Sequence, residues 1–206
     1  MPLTRRHFLF AATAATTLPA AAGAQVASPR YAVPRYDVPR ALLPRIVATP
    51  ASVPPGHVHV YPGEFALYLA GVNGRSFRYT VGIGAPSLYT PGRFTVGARR
   101  EFPGWMPTPG MIRRQPELYA QYEGVGIPPG LENPLGARAL YLHDARGRDT
   151  YLRIHGTHRL GRIGNRESNG CVNLINDQAV HLYDRVALGT PVTLHPEGAV
   201  APGARA

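Results

Sequence analysis

A mostly-β domain carrying one helix is what the sequence predicts, and three observations predict it. Short apolar runs alternate with turn residues over residues 57–195. Glycine and proline number 23 and 22 in 206 residues, a composition that favours turns and short strands over long helices. Only one segment, following Asn176, carries helical periodicity. Hydrophobic residues make up 44%, enough to build a core, and the length suits a single domain with extensions.

The elements follow in order. Glu64 to Leu69 reads as a strand, and Asn73-Gly74 after it is the strongest short hairpin signal. Arg75 to Gly82 is the return strand, with Phe77, Tyr79 and Val81 alternating against polar neighbours. Arg93 to Ala98 follows the turn residues Pro91-Gly92. Ala139–Leu142, Tyr151–Ile154 and Pro191–Leu194 complete the β series. The helix is expected over 177–188, with Asn176 as N-cap, Asp177 in the first turn, and Ala179, Leu182, Tyr183 and Val186 on one face. Gly189 stops it. Residues 102–136 break the pattern. They hold seven prolines with Trp105, Tyr119 and Tyr122, and a loop of this length in a domain reads as an insertion that covers or lines a cleft.

Both ends read as extensions. Residues 1–24 have the form of an export signal. Thr4-Arg5-Arg6-His7-Phe8-Leu9 resembles a twin-arginine (Tat) signal, Phe8 to Leu18 is apolar but too short to span a bilayer, and Ala22-Gly23-Ala24 offers a cleavage site. Nothing later supplies 18 apolar residues in a row, so no transmembrane span is expected in the mature chain. Residues 25–56 form a Pro/Arg-rich linker in which Pro-Arg recurs at 29–30, 34–35, 39–40 and 44–45. The folded domain is expected over 57–195 and a disordered tail over 196–206.

The formal net charge is +10, or +8 once the first 24 residues are set aside, and every basic side chain is arginine. Such a surface suits an acidic polymer or anionic lipid. No nucleic-acid motif of known spacing is present, so no nucleic-acid partner is expected. His57-x-His59 and His155-x-x-His158 are paired histidines, but without H-E-x-x-H or paired cysteines they do not define a metal site.

Cys171 is the sole cysteine. In an exported chain a lone thiol is either reactive or an inert small hydrophobe, and its neighbours bear on which. They run Ile154-His155-Gly156-Thr157, then Gly164, then Ser168-Asn169-Gly170-Cys171-Val172-Asn173. A thiol attacks a carbonyl as thiolate, and His155 is a candidate base. Glycine at 170 lets the backbone approach a substrate, and the N–H groups of Gly170 and Cys171 are candidate oxyanion donors. Thr157 and Ser168 are expected to hold turns through their hydroxyls.

This run resembles the signature of the L,D-transpeptidases of the YkuD type (ErfK/YbiS-like), in which HGT is followed by S-x-G-C and a short helix. Phe65–Leu69, Val81–Gly84, Thr90–Val96 and Asn133–Gly136 are similar to the family's recurring segments, so the resemblance covers about residues 57–195. It implies a β-sandwich or barrel-like domain with one or two short helices. It implies Cys171 as nucleophile and His155 as proton donor and acceptor, the latter oriented by a backbone carbonyl near Gly156 and not by an acid. Gly170, Gly156, Ser168, Asn169, Thr157 and Asn173 would shape the site. No metal or organic cofactor is implied.

The partners implied are peptidoglycan stem peptides as donor and acceptor, or a protein attached to the wall, in the periplasm. Water as acceptor would make the same site an L,D-carboxypeptidase. A wall-binding module without catalysis would need neither Cys171 nor His155. Two positions depart from many members. Asn169 stands where His or Ser is common, and Asn173 where Arg is common. Asn169 cannot serve as a second base.

Overall fold

Residues 32–33, 36–50, 52–130 and 132–202 are described in the computed structural model of the chain. The export-signal reading of residues 1–24 lies outside them. The described residues form eleven strands: β1 (Arg45–Ala48), β2 (Val58–Tyr61), β3 (Ala66–Ala70), β4 (Arg75–Thr80), β5 (Ile83–Gly84), β6 (Gly92–Glu101), β7 (Arg138–His143), β8 (Asp149–Thr157), β9 (Arg166–Ser168), β10 (Val172–Ile175) and β11 (Pro191–Leu194). Three α-helices join them: α1 (Pro109–Arg114), α2 (Pro116–Tyr119) and α3 (Asn176–Tyr183).

Nine strands form one mixed sheet in the order β1-β4-β3-β2-β11-β6-β7-β8-β10, and β5 pairs with β9 in a second, two-stranded sheet. Most pairings are antiparallel, but β11 runs parallel to β2, and β10 runs parallel to β8. A parallel pair needs a crossover, and the chain between β8 and β10 makes it through β9 and the turn at 168–171. The fold is therefore mostly β, as the sequence predicts, with a few short helices.

The main core takes Val58, Val60, Leu67, Leu69, Leu140, Leu142, Ile154, Val172 and Leu174 from the sheet, and α3 lays Ala179 and Leu182 against it. Each fully buried aliphatic side chain contributes about 1.5–3 kcal/mol relative to exposure. β3 is buried at every position because its other face is covered too. Ala66, Tyr68 and Ala70 pack there with Tyr61, Val53 and Ala201.

That second layer corrects both predicted extensions. Arg45–Ala48, read as linker, is β1, and pairs with β4 from Arg45↔Arg78 to Ala48↔Arg75. The linker composition averages over a local Arg-Ile-Val-Ala run with good strand propensity, and the otherwise unpaired edge of β4 takes it up. Residues 196–202, read as disordered tail, are also placed. The Ala201 N–H donates to Glu64 Oε1 at 2.7 Å, and the Gly63 N–H donates to the Ala199 carbonyl at 2.8 Å.

α3 departs from its expected start and end. Ile175 is the N-cap residue and Asn176 is already helical. Asn176 is 2% exposed, and its carboxamide is used elsewhere. Oδ1 accepts from the Ala137 N–H at 2.9 Å, and Nδ2 donates to the Tyr36 hydroxyl at 3.0 Å. Asp177 lies in the first turn as expected. The helix ends at Tyr183, so Val186 reaches the core from beyond it.

Candidate active site

β8 and β10 bring the two chemical residues together. Their register sets Val172 beside Ile154 and Asn173 beside His155, and Cys171 immediately precedes β10. A separation of sixteen positions in sequence is thus closed by one parallel ladder. Cys171 and His155 line a single cleft of about 730 Å³, with Ser168 and Asn169 on the same wall. A second cleft of about 630 Å³ runs along β3 and β4 and contains neither thiol nor imidazole.

His155 is 5% exposed and its tautomer follows from its partners. Nδ1 lies 2.8 Å from the Gly156 carbonyl, which can only accept, so Nδ1 carries the hydrogen. Nε2 is then the acceptor of the neutral ring and takes a hydrogen bond from Asn173 Nδ2 at 3.0 Å. A buried ring with this donor on Nε2 resists protonation. Burial, with the charges of Arg162 and Arg153 adding to it and the Gly156 carbonyl opposing it, lowers the His155 pKa to about 4.

Cys171 is partly open to the cleft, and its Sγ lies 3.9 Å from the Tyr151 carbonyl. Burial pushes its thiol above the ordinary range, while the backbone N–H and the charge of Arg153 pull the other way. The resting pair is accordingly neutral thiol and neutral imidazole. The Tyr151 carbonyl reaches the sulfur because β8 is irregular there. Pairing with β7 shifts register between Tyr141 and His143, and Tyr151 adopts φ 62, a left-handed conformation rare for a non-glycine residue.

The remaining predicted residues take these places. Ser168 Oγ donates to the Cys171 carbonyl at 2.5 Å and closes the turn holding the thiol. Thr157 Oγ1 accepts from the Arg159 N–H at 3.1 Å. Gly170 has φ +110, and a methyl there would sit 2.8 Å from the Leu88 carbonyl oxygen. Gly156 packs directly against the carboxamide of Asn176. Asn169 joins the cleft wall to the 102–136 insertion. Its Oδ1 accepts from Arg114 Nη2 at 2.9 Å, and its Nδ2 donates to the Tyr119 hydroxyl at 3.0 Å.

The insertion does line the cleft. Thr108 caps α1 by accepting from the Met111 N–H at 3.2 Å, and Trp105 packs against Tyr119 and Tyr122 with ring centroids 6.1 and 5.9 Å away. Trp105, Met106, Arg114, Tyr119 and Tyr122 all face the cavity. Sequence reasoning did not single out Arg114, Arg153, Arg162 or Tyr151. Their only advance signal was membership of the insertion or proximity to the motif.

The His57 and His59 rings stay 6.2 Å apart, whereas His155 and His158 turn to different partners. His59 Nδ1 lies 2.9 Å from His195 Nε2, and the His195 ring stacks on Tyr61 at 4.0 Å. His158 instead lies 3.9 Å from Glu132. Among the described residues no group of three or more His, Cys, Asp or Glu is arranged to hold a metal ion, and no helix is long and apolar enough to cross a membrane.

Two expected results follow from this electrostatics. The unfolded chain protonates His155 near pH 6.5 and the folded chain near 4. Stability is full above 6.5 and falls as pH drops towards 4, where both states carry the proton, a loss of about 3 kcal/mol. His59, also lowered to about 4, acts in the same direction. Urea unfolding at pH 7.5 and 4.5 reads the slope. His155→Gln should flatten it, and an unchanged slope in that variant would refute the assignment. Removing the Asn173 amide by Asn173→Ala should raise the His155 pKa from about 4 towards 6.5, read by NMR titration of the ring protons. No movement would mean that the amide does not bear on Nε2.

Comparison with solved structures places the fold. A crystal structure of a Brucella melitensis protein, described as a probable carnitine operon oxidoreductase, is 40% identical with a TM-score of 0.51, covering 75% of this chain and 93% of that one. An L,D-transpeptidase from Enterococcus faecium shares the fold at 16% identity, TM-score 0.51, covering 69% of this chain and 50% of that one.

Among curated relatives, the Probable L,D-transpeptidase ErfK/SrfK of Escherichia coli (strain K12) is 36% identical over 118 residues, 56% of this chain and 36% of its own length. Its Salmonella typhimurium counterpart is 33% identical over 139 residues, 66% of this chain and 42% of its own. The chain thus spans less than half the length of these relatives. A mostly-β fold with Cys171 and His155 in one cleft is the frame into which these matches fit. The L,D-transpeptidase catalytic domain (YkuD) model matches residues 55–194, and the chain belongs to that family.

Proposed function

We propose that the chain is a peptidoglycan L,D-transpeptidase that acts through a thioester on Cys171. The observation that carries this reading is the meeting of Cys171 and a tautomer-fixed His155 in one cleft, across the parallel β8–β10 pair. The donor is a tetrapeptide stem. Cys171 Sγ gives its proton to His155 Nε2 and attacks the carbonyl joining the third residue to the terminal D-amino acid. Asn173 must release Nε2, or present its carbonyl oxygen to it, for that proton to be taken. The N–H groups of Gly170 and Cys171 hold the oxyanion. The intermediate collapses with transfer of the proton from His155 to the departing amine, which leaves as a free D-amino acid. An acceptor amine then attacks the thioester, His155 takes its proton, and the thiolate leaves and is reprotonated.

The acceptor is a second stem or a wall-attached protein. Residues 1–24 act as a Tat signal, and the enzyme works in the periplasm. Water as acceptor gives an L,D-carboxypeptidase through the same first step. Incubating residues 25–206 with disaccharide-tetrapeptide separates the outcomes by mass spectrometry. A dimer lighter than two monomers by one terminal D-amino acid is the expected product. Tripeptide alone would replace transfer by hydrolysis, and no product from a folded protein would overturn the acyl-transfer reading.

A further inference from the structure

The wall of the catalytic cleft is charged on one side only. Three arginines line it, Arg114, Arg153 and Arg162, and no aspartate or glutamate does. Arg153 is answered from outside the cleft, by a two-pronged pair with Asp149 at 2.6 and 2.8 Å, and it stacks on Tyr141 with its guanidinium carbon 3.9 Å from the ring centroid. Arg114 and Arg162 enter no ion pair among the described residues. Two positive charges therefore face the space where the substrate must lie.

Their placement is specific. Arg114 ends α1 on the insertion, and its bond to Asn169 fixes the guanidinium beside the turn that carries Cys171. That bond uses one of its five N–H donors. Arg162 lies on the opposite connection, between β8 and β9, close enough to His155 for its charge to disfavour the imidazolium. A planar guanidinium with free donors, exposed at the cleft wall in Arg114 and half-buried in Arg162, suits a carboxylate, which it can bind through two parallel hydrogen bonds.

We propose that Arg114 and Arg162 bind the free carboxylates of the acyl-donor peptide and so restrict the donor to anionic peptides. The inference rests on the acyl-transfer reading and adds the charge class of its substrate. Such a donor has a terminal carboxylate, on the amino acid that leaves, and, where the acylated residue is itself acidic, a second one on its side chain. A carboxylate against Arg162 also offsets its field at His155 just when the ring must accept a proton. Trp105, Tyr119 and Tyr122, each half-buried, line the same cleft.

The test uses the full chain and synthetic tetrapeptides, with the thioester on Cys171 measured by intact mass over time. Four donors carry the terminal and third-residue carboxylates each either free or amidated. Amidating the carboxylate that is bound should raise KM for acylation about 10-fold in the wild type. Arg114→Gln or Arg162→Gln should raise KM for the free acid by a similar factor and leave the amide unchanged, with Arg→Lys recovering part of the loss. Which amide matters identifies the carboxylate, terminal or side-chain, and either supports the inference. Equal acylation of all four donors by the wild type overturns it, as does discrimination that survives both Gln substitutions. No adduct from any donor overturns the acyl-transfer reading and this inference with it.

Discussion

Cys171→Ala is expected to abolish both the thioester and the product, with turnover falling by at least about 10⁴-fold. The structure offers no substitute nucleophile of comparable strength. The hydroxyl of Ser168 is spent on the Cys171 carbonyl, and the cleft's other hydroxyls lack a base as well placed as His155. The substitution removes one sulfur from a partly open position, so the fold should survive it. Melting should shift by no more than a few degrees. Intact mass after incubation with donor reads the adduct, and circular dichroism reads the fold. A variant that still turns over at the wild-type rate would end the mechanism proposed above.

Gly156→Ala should be the most damaging single-methyl change near the site. The added carbon has no room. It would meet the Asn176 carboxamide oxygen and lie 3.2 Å from the Ala137 nitrogen. Asn176 would have to move, and with it the bonds to Ala137 and Tyr36 that tie β7 and the chain before β1 to α3. Overpacking together with a buried N–H left unpaired costs about 2–5 kcal/mol, or roughly 5–15 °C in melting temperature for a chain of this size. Asn176→Ala is itself destabilising, but it empties the space the methyl needs. The double variant should therefore lose less than the sum of the two single losses. Strict additivity would show that the two groups do not collide.

Much of the β framework was legible because alternation and turn residues report locally. Phe77, Tyr79 and Val81 mark β4, and Asn73-Gly74 marks its hairpin. β7, β8 and β11 fall where their short apolar runs lie. The cleft-lining role of 102–136 followed from its length and aromatic content.

What escaped depends on distant neighbours. β1 sits in a Pro-Arg tract whose composition conceals four residues that pair only because β4 has a free edge. Asn176 looks like an N-cap by propensity, yet burial beside Ala137 gives its carboxamide a better use. β10 was hidden behind the cysteine motif, since Val172–Ile175 is too short to read without its partner β8. Asn169 joins Arg114 across 55 residues by one exposed polar contact, which leaves no periodic trace in sequence.

The two halves of the cleft are held by different means. Cys171 and His155 are positioned by the ladder between β8 and β10, backed by the buried side chains of Ile154, Val172 and Leu174. The insertion is joined to the thiol's turn through the two side-chain bonds of Asn169, and its small aromatic cluster packs only within the insertion itself. Parts with few buried contacts open at lower free-energy cost than a core ladder does. On warming, the insertion should release first, while the thiol and imidazole keep their spacing. The protein would then pass through a range of temperature in which it still acylates but no longer chooses its substrate well.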